Sequence, residues 1–109
     1  MSEEESSHPA IELDETVHQR VRLGVLAILV EADRANFTYL RETLGVTDGN
    51  LSAHLNVLVN AGLVQLDKRF VEGRPRTWVR ATPKGRTTFR AEVDALDRLV
   101  TRYRAKVQA

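Results

Sequence analysis

The sequence predicts a mainly α-helical domain carrying one small β-hairpin and ending in a long helix. Three observations carry that expectation. Val46 to Leu63, reading VTDGNLSAHLNVLVNAGL, is a short amphipathic helix with a start signal and a stop signal of its own. After Gly62 the apolar period changes, and two runs rich in β-formers, LVQLDKRF and TWVRA, flank a turn containing Gly73 and Pro75. From Thr82–Pro83 onward, helical periodicity continues unbroken to about Lys106.

The totals set the frame. A chain of 109 residues with 42% hydrophobic content is one domain with enough apolar surface for a core. It contains no cysteine, which removes disulfides, thiolate catalysis and cysteine metal ligands, and fits a cytoplasmic location. The longest apolar run, Val25 to Val30, is too short for a membrane span, and the acidic N-terminus is unlike a secretory signal. The net charge of +1 conceals a separation. Glu3, Glu4, Glu5, Glu12, Asp14 and Glu15 make the first stretch acidic. Lys68, Arg69, Arg74, Arg76, Arg80, Lys84, Arg86 and Arg90, against Glu72 alone, make the 68–90 segment strongly basic. A basic segment of that density fits a polyanionic partner.

Taken in order, residues 1–10 read as a disordered acidic tail, leaving His8 without a role, and residues 11–109 as the folded domain. Leu13 to about Ala32 reads as the first helix, capped by Asp14. Its second half, VRLGVLAILV, is apolar nearly all round, so it needs cover from more than one side. Phe37 suits a one-residue bridge or brief strand. Thr38 is the expected cap of a short helix ending at Gly45.

Thr47 then caps the next helix, Asp48 occupies its first turn, and Gly62 stops it. Its Leu51, Leu55 and Leu58 form an inward stripe. The opposite face carries Gly49, Ala53, Asn56 and Asn60, flanked by Asn50 and Ser52. An ordinary solvated face shows Lys and Glu. Small residues and amides suit a helix that approaches DNA closely and addresses base edges. His54 lies at the border of the leucine stripe, where a phosphate or carbonyl partner is the first expectation and a base contact the second.

Helix, Gly-containing turn and second capped helix, about 38–62, form a helix-turn-helix. The hairpin that follows, about 63–82, makes it a winged helix-turn-helix, with Lys68, Arg69, Arg74 and Arg76 placed on the wing to reach phosphates or the minor groove. Trp78 reads as core at the wing root. Thr82 and Pro83 open the last helix, about 83–107, roughly 35 Å long at about 1.5 Å per residue. Along it Phe89, Val93, Leu96, Val100, Tyr103 and Val107 follow alternating spacings of four and three, an a/d seam suited to pairing with a second chain or with the first helix.

The stretches LDETVHQRVRL (13–23), TDGNLSAHL (47–55), GRPRTW (73–78) and ATPKGR (81–86), in this order, resemble the winged-helix transcriptional regulators lying between the ArsR and MarR types. The resemblance covers about Leu13 to Leu99. It implies sequence-specific binding of double-stranded DNA by a homodimer on a pseudo-palindromic operator, usually for repression. The recognition helix would contribute Thr47, Asp48, Gly49, Asn50, Ser52, Ala53, His54 and Asn56. The resemblance also implies dimerisation through the N- and C-terminal helices, with Val17, Leu23, Phe89, Val93, Leu96, Val100 and Tyr103 as the contact, and His18 as a structural residue near it. The chain departs from the metal-sensing branch: it lacks cysteine and has no histidine after His54, so no metal or cofactor is expected.

An enzyme is not expected. Ser52 and His54 point apart on one helix, and no Gly-rich phosphate loop is present. The reading from a different class is a winged-helix protein–protein interaction module without DNA binding, which has no need of a basic wing beside an amide-bearing helix. An unidentified small-molecule effector between subunits is a further possibility that no residue identifies.

Overall fold

The computed structural model describes residues 8–108. Most of the predicted acidic tail therefore lies outside the described residues. Its last part does not behave as a tail: Pro9–Glu12 form a 3-10 turn in which Pro9 is buried, and His8 Nδ1 accepts the Ala10 N–H at 3.1 Å.

Four helices and three strands follow. They are α1 (Arg20–Glu31), β1 (Ala35–Asn36), α2 (Phe37–Leu44), α3 (Asp48–Asn60), β2 (Val64–Val71), β3 (Arg74–Ala81) and α4 (Pro83–Gln108). The strands pair antiparallel in the order β1-β3-β2. The domain is a winged helix-turn-helix. Its core takes Val21, Val25, Leu26 and Leu29 from α1, Leu40 from α2, Leu51, Leu55 and Leu58 from α3, and Val64, Val79 and Ala81 from the sheet. Among the described residues, no helix is long and apolar enough to cross a membrane.

Local chemistry explains the boundaries, including those the sequence misplaced. The first helix does not begin at Leu13. Asp14 Oδ1 accepts the N–H groups of Thr16 and Val17, and caps only a single turn. Gln19 is extended, and its side-chain oxygen accepts the Arg22 N–H at 2.9 Å, starting α1 afresh at Arg20. The break sends Val17, expected at a dimer contact, fully into this chain's own core. Leu23 and Phe89, expected at the same contact, likewise pack against that core from its edge.

Asn36, not Thr38, caps α2: its Oδ1 accepts the Tyr39 N–H at 2.7 Å. The brief strand ends at this residue, so one amide closes the strand and opens the helix. Gly45 ends α2 at φ 66°. Thr47 Oγ1 accepts the Asn50 N–H at 3.1 Å and opens α3, where the sequence placed it.

The hairpin is longer than predicted. Only Glu72 and Gly73 form its turn, at φ 54° and 76°, the two positive values a type I′ turn requires. Pro75 is not the turn residue that the sequence predicts. It stands in β3 opposite Phe70, one pair back from the Val71–Arg74 pair that flanks the turn. Pairs in that position exchange no ladder hydrogen bonds, so a residue without N–H fits there.

Thr82 fastens α4 to the end of α3. Its hydroxyl donates to the Gly62 carbonyl at 2.7 Å and accepts the Gly85 N–H at 2.9 Å, while Lys84 Nζ donates to the Ala61 carbonyl at 3.0 Å. The inward face of α4 is Gly85, Glu92 and Ala95, not the predicted seam. Phe89 and Leu96 lie at its margin, and Val93, Val100, Tyr103 and Val107 are exposed. The last two turns and more of α4 extend past the core, which gives the molecule a 64 Å long axis against 25 and 23 Å across.

Candidate nucleic-acid interface

The outer face of α3 is open. Asp48, Gly49, Asn50, Ser52, Ala53 and Asn56 are all exposed. Asp48 accepts from Arg41 Nη1 at 2.8 Å, which ties the start of α3 to α2 and engages this acid within the protein. A Cβ on Gly49 would meet nothing within 4 Å. The chain's own packing does not require glycine there.

His54 departs from the expected base-reading set. Its ring is half-buried against α1, and Arg22 Nη1 donates to His54 Nδ1 at 3.0 Å. A guanidinium has no acceptor, so Nδ1 accepts and the neutral ring carries its proton on Nε2. Arg22 Nε donates to the Thr16 carbonyl at 2.5 Å, so one side chain joins the N-terminal turn to the recognition helix. Sequence reasoning passed over Arg22, because its two partners lie on different elements.

Burial, then the Arg22 and Arg20 charges, push His54 below its ordinary value of 6.5. The unfolded chain then gains a proton at His54 before the folded chain does. His54 therefore contributes stability that is full above about pH 6.5 and is lost as the pH falls towards its folded value. Thermal melts from pH 7.5 to 5 should show a steeper acid-side decline for wild type than for His54→Gln. Parallel curves would mean that the ring does not sense this environment.

Cross-strand pairing sorts the wing residues onto two faces. Lys68, Phe70, Pro75 and Thr77 share the face that continues the buried Val64, Val79 and Ala81. Arg69, Val71, Arg74 and Arg76 share the other. Lys68 is thus separated from the cations with which the sequence grouped it. With Leu66 and Thr77 it lines an open cleft whose opposite wall is Asp48, Ser52 and Asn56, with Phe37 and Leu55 also lining it. Thr77 and Phe37 border this cleft unannounced by the sequence, since nothing local shows that strand and helix will face each other there.

On the other face Arg69 opposes Arg76 directly, a like-charge pairing that costs stability unless relieved. Asp67 Oδ2 accepts from Arg69 Nε at 2.8 Å and relieves one side. Among the described residues, Lys68, Arg74 and Arg76 form no ion pair. Trp78 lies at the wing root, where the Arg34 guanidinium stacks 4.2 Å from its ring centroid. It is not the core residue expected: paired with Asn36 of β1 and Asp67 of β2, it lies half-buried on the face away from Val79, where it carries the Arg34 guanidinium.

The outer face of α3 thus carries small residues and amides, with Asp48 as its one acid, beside a hairpin bearing Lys68, Arg69, Arg74 and Arg76. The family described as winged helix DNA-binding domain matches residues 21–100. The chain belongs to that family. An uncharacterised protein of Methanocaldococcus jannaschii is 41% identical to this winged-helix regulator over 70 residues, 64% of this chain and 76% of that protein. The structure of a transcriptional regulator homologue from Pyrococcus horikoshii superposes with a TM-score of 0.77 at 30% identity, over 92% of this chain and 96% of the other. The transcriptional repressor BigR of Xylella fastidiosa superposes with a TM-score of 0.60 at 26% identity, over 84% and 92% of the two chains.

Proposed function

We propose that this winged-helix regulator binds a pseudo-palindromic operator as a homodimer and represses transcription from it. The observation that carries the reading is the cleft between α3 and the wing, where Ser52 and Asn56 face Lys68. An Asn amide can pair with adenine N6 and N7, and a Lys ammonium can donate to guanine O6 and N7 or to phosphate. Arg74 and Arg76 extend the contact to the backbone or a narrow minor groove, where sequence matters less. The proposed base-reading set is Asn50, Ser52, Ala53 and Asn56, with Thr47 and Gly49 at the closest approach.

Selection of bound sequences from random duplex DNA tests the reading, and two variants resolve it. Asn56→Ala should cost about 1–3 kcal/mol on the selected duplex and little on scrambled DNA. Arg74→Ala should weaken both, and lower the slope of log affinity against log salt by roughly one unit. Equal loss on both duplexes for Asn56→Ala would displace it from the base-reading set. No enrichment at all would favour a protein-binding module.

Dimerisation rests on α4 beyond the core. Val93, Val100, Tyr103 and Val107 are 42%, 42%, 65% and 58% exposed along one side of a projecting helix. Sedimentation at micromolar concentration should give twice the chain mass, and Val100→Glu should give the monomer, because an unpaired charge at a buried interface costs several kcal/mol. A monomeric wild type would remove the dimer and the palindrome together.

A further inference from the structure

We infer that Phe70, at the tip of the wing, is an apolar wedge that enters the DNA minor groove and unstacks a base step. The inference rests on the DNA-binding reading above and adds a deformation to it. Phe70 is 78% exposed, the highest value among the large apolar residues of the domain, and its neighbour Val71 is 45% exposed. Its cross-strand partner is Pro75, which cannot donate to the ladder and presents a flat apolar ring on the same face. Nothing in the chain's own packing uses this pair, since both residues are exposed. The hairpin around it is net positive, with Lys68, Arg69, Arg74 and Arg76 against Asp67, which pairs Arg69, and Glu72 in the turn. Lys68 lies two residues earlier on the same face, and Arg74 and Arg76 lie across the ribbon without ion pairs. An apolar tip on a hairpin of net positive charge is poorly suited to an apolar protein surface, where those charges would be desolvated. It is well suited to DNA, whose phosphates take the cations while the base stack takes the ring.

Placement agrees with this occupant. Lys68 borders the cleft facing Ser52 and Asn56, and Phe70 continues that face about 7 Å further out at the rise of a β-strand. With α3 in the major groove, the residue beyond Lys68 meets the neighbouring minor groove. Apolar side chains inserted there pry base steps apart and kink the duplex towards the major groove. The kink favours flexible pyrimidine–purine steps, so Phe70 selects sequence at a position it reads by deformation and not by hydrogen bonds.

The test uses the full chain and a duplex obtained by selection. 2-Aminopurine, whose fluorescence rises on unstacking, replaces adenine at successive positions, and energy transfer between end labels reports the bend. Wild type should brighten the probe at one step per half-site and shorten the end-to-end distance. Phe70→Ala should abolish both signals and lower affinity for the selected duplex about tenfold, the scale of one lost stacking contact, with the salt slope unchanged. Phe70→Leu, which keeps an apolar wedge, should retain most of the bend. Arg76→Ala should lower the salt slope and leave the unstacking intact. Wild type binding without unstacking, with Phe70→Ala equally tight, overturns the wedge and leaves the DNA-binding reading standing. A change in sedimentation of free Phe70→Ala assigns the residue to contact between copies and also overturns it. Failure of wild type to bind any duplex sinks the DNA-binding reading first, and the wedge with it.

Discussion

Gly85→Ala is expected to destabilise the domain by about 3 kcal/mol or more, the upper end of what one added methyl does in a packed core. The cause is backbone, not side chain. A Cβ at Gly85 would overlap the Leu63 carbonyl oxygen, and would lie 3.0 Å from the carbonyl carbon and 3.3 Å from the Leu63 Cα. That carbonyl cannot step aside, because it accepts the Thr82 N–H at 3.0 Å, and Thr82 in turn holds Gly62 and caps α4. Alanine gains about 1 kcal/mol of helix propensity over glycine, too little to offset the clash. For a domain near this size, each kcal/mol moves the melting temperature by roughly 4–8 °C, so a fall of more than about 12 °C is expected. Gly49→Ala is the control: the same chemical change meets open space and should hold or raise the melting temperature. A melting temperature for Gly85→Ala within a few degrees of wild type would mean that the α4–Leu63 approach is looser than described.

The contrast between these two glycines also shows what a sequence can disclose. Caps are local, so Thr47, Gly45 and Gly62 place the helix-turn-helix from neighbouring residues alone, and the leucine stripe of α3 shows which side is inward. The wing's existence is equally local, but its length is not. Pro75 reads as a turn residue until its partner is known to be Phe70 across a non-bonded pair. Helix α1 fails to extend back to Leu13 because Gln19 and Asp14 each satisfy backbone donors with a side chain, an alternative that helical periodicity does not register. The site divides in the same way. Exposure of Asn56 and Ser52 follows from the helical wheel, whereas the inward turn of His54 depends on Arg22, 32 residues away. Glu92 was legible only as one carboxylate among several on a polar helix, and its partners are 74 and 78 residues distant.

Glu92 gives the second large effect, through the contrast of two acid-bearing links between the N-terminal segment and α4. The side chain of Glu92 is fully buried: Oε1 accepts the Asp14 N–H at 2.8 Å, and Oε2 lies 2.9 Å from His18 Nδ1. The other link, Arg98 to Glu12 at 2.5 Å, has both side chains about half exposed, 49% and 48%. Geometry alone would rank the shorter pair higher, and solvent reverses the ranking. An exposed pair is screened and contributes about 0–1 kcal/mol. A buried carboxylate bonded to a backbone N–H and an imidazole leaves orphaned partners and a void when removed, at about 1.5–3 kcal/mol for each charge-assisted hydrogen bond lost. The His18 side chain is half exposed, so its bond counts for little, and Glu92→Ala should cost about 2–4 kcal/mol in thermal or urea unfolding, and Arg98→Ala less than about 1. The loss should also be directional. Asp14 loses its anchor, and the Thr16 carbonyl two residues on is the group that holds Arg22 beside His54. Amide hydrogen exchange in Glu92→Ala should accelerate first at Thr16 and Val17, whose N–H groups Asp14 caps, and then in the middle of α3. Equal effects of the two substitutions, or exchange that accelerates uniformly across the domain, would show that Glu92 fills space and does not fasten the N-terminal turn to the recognition helix.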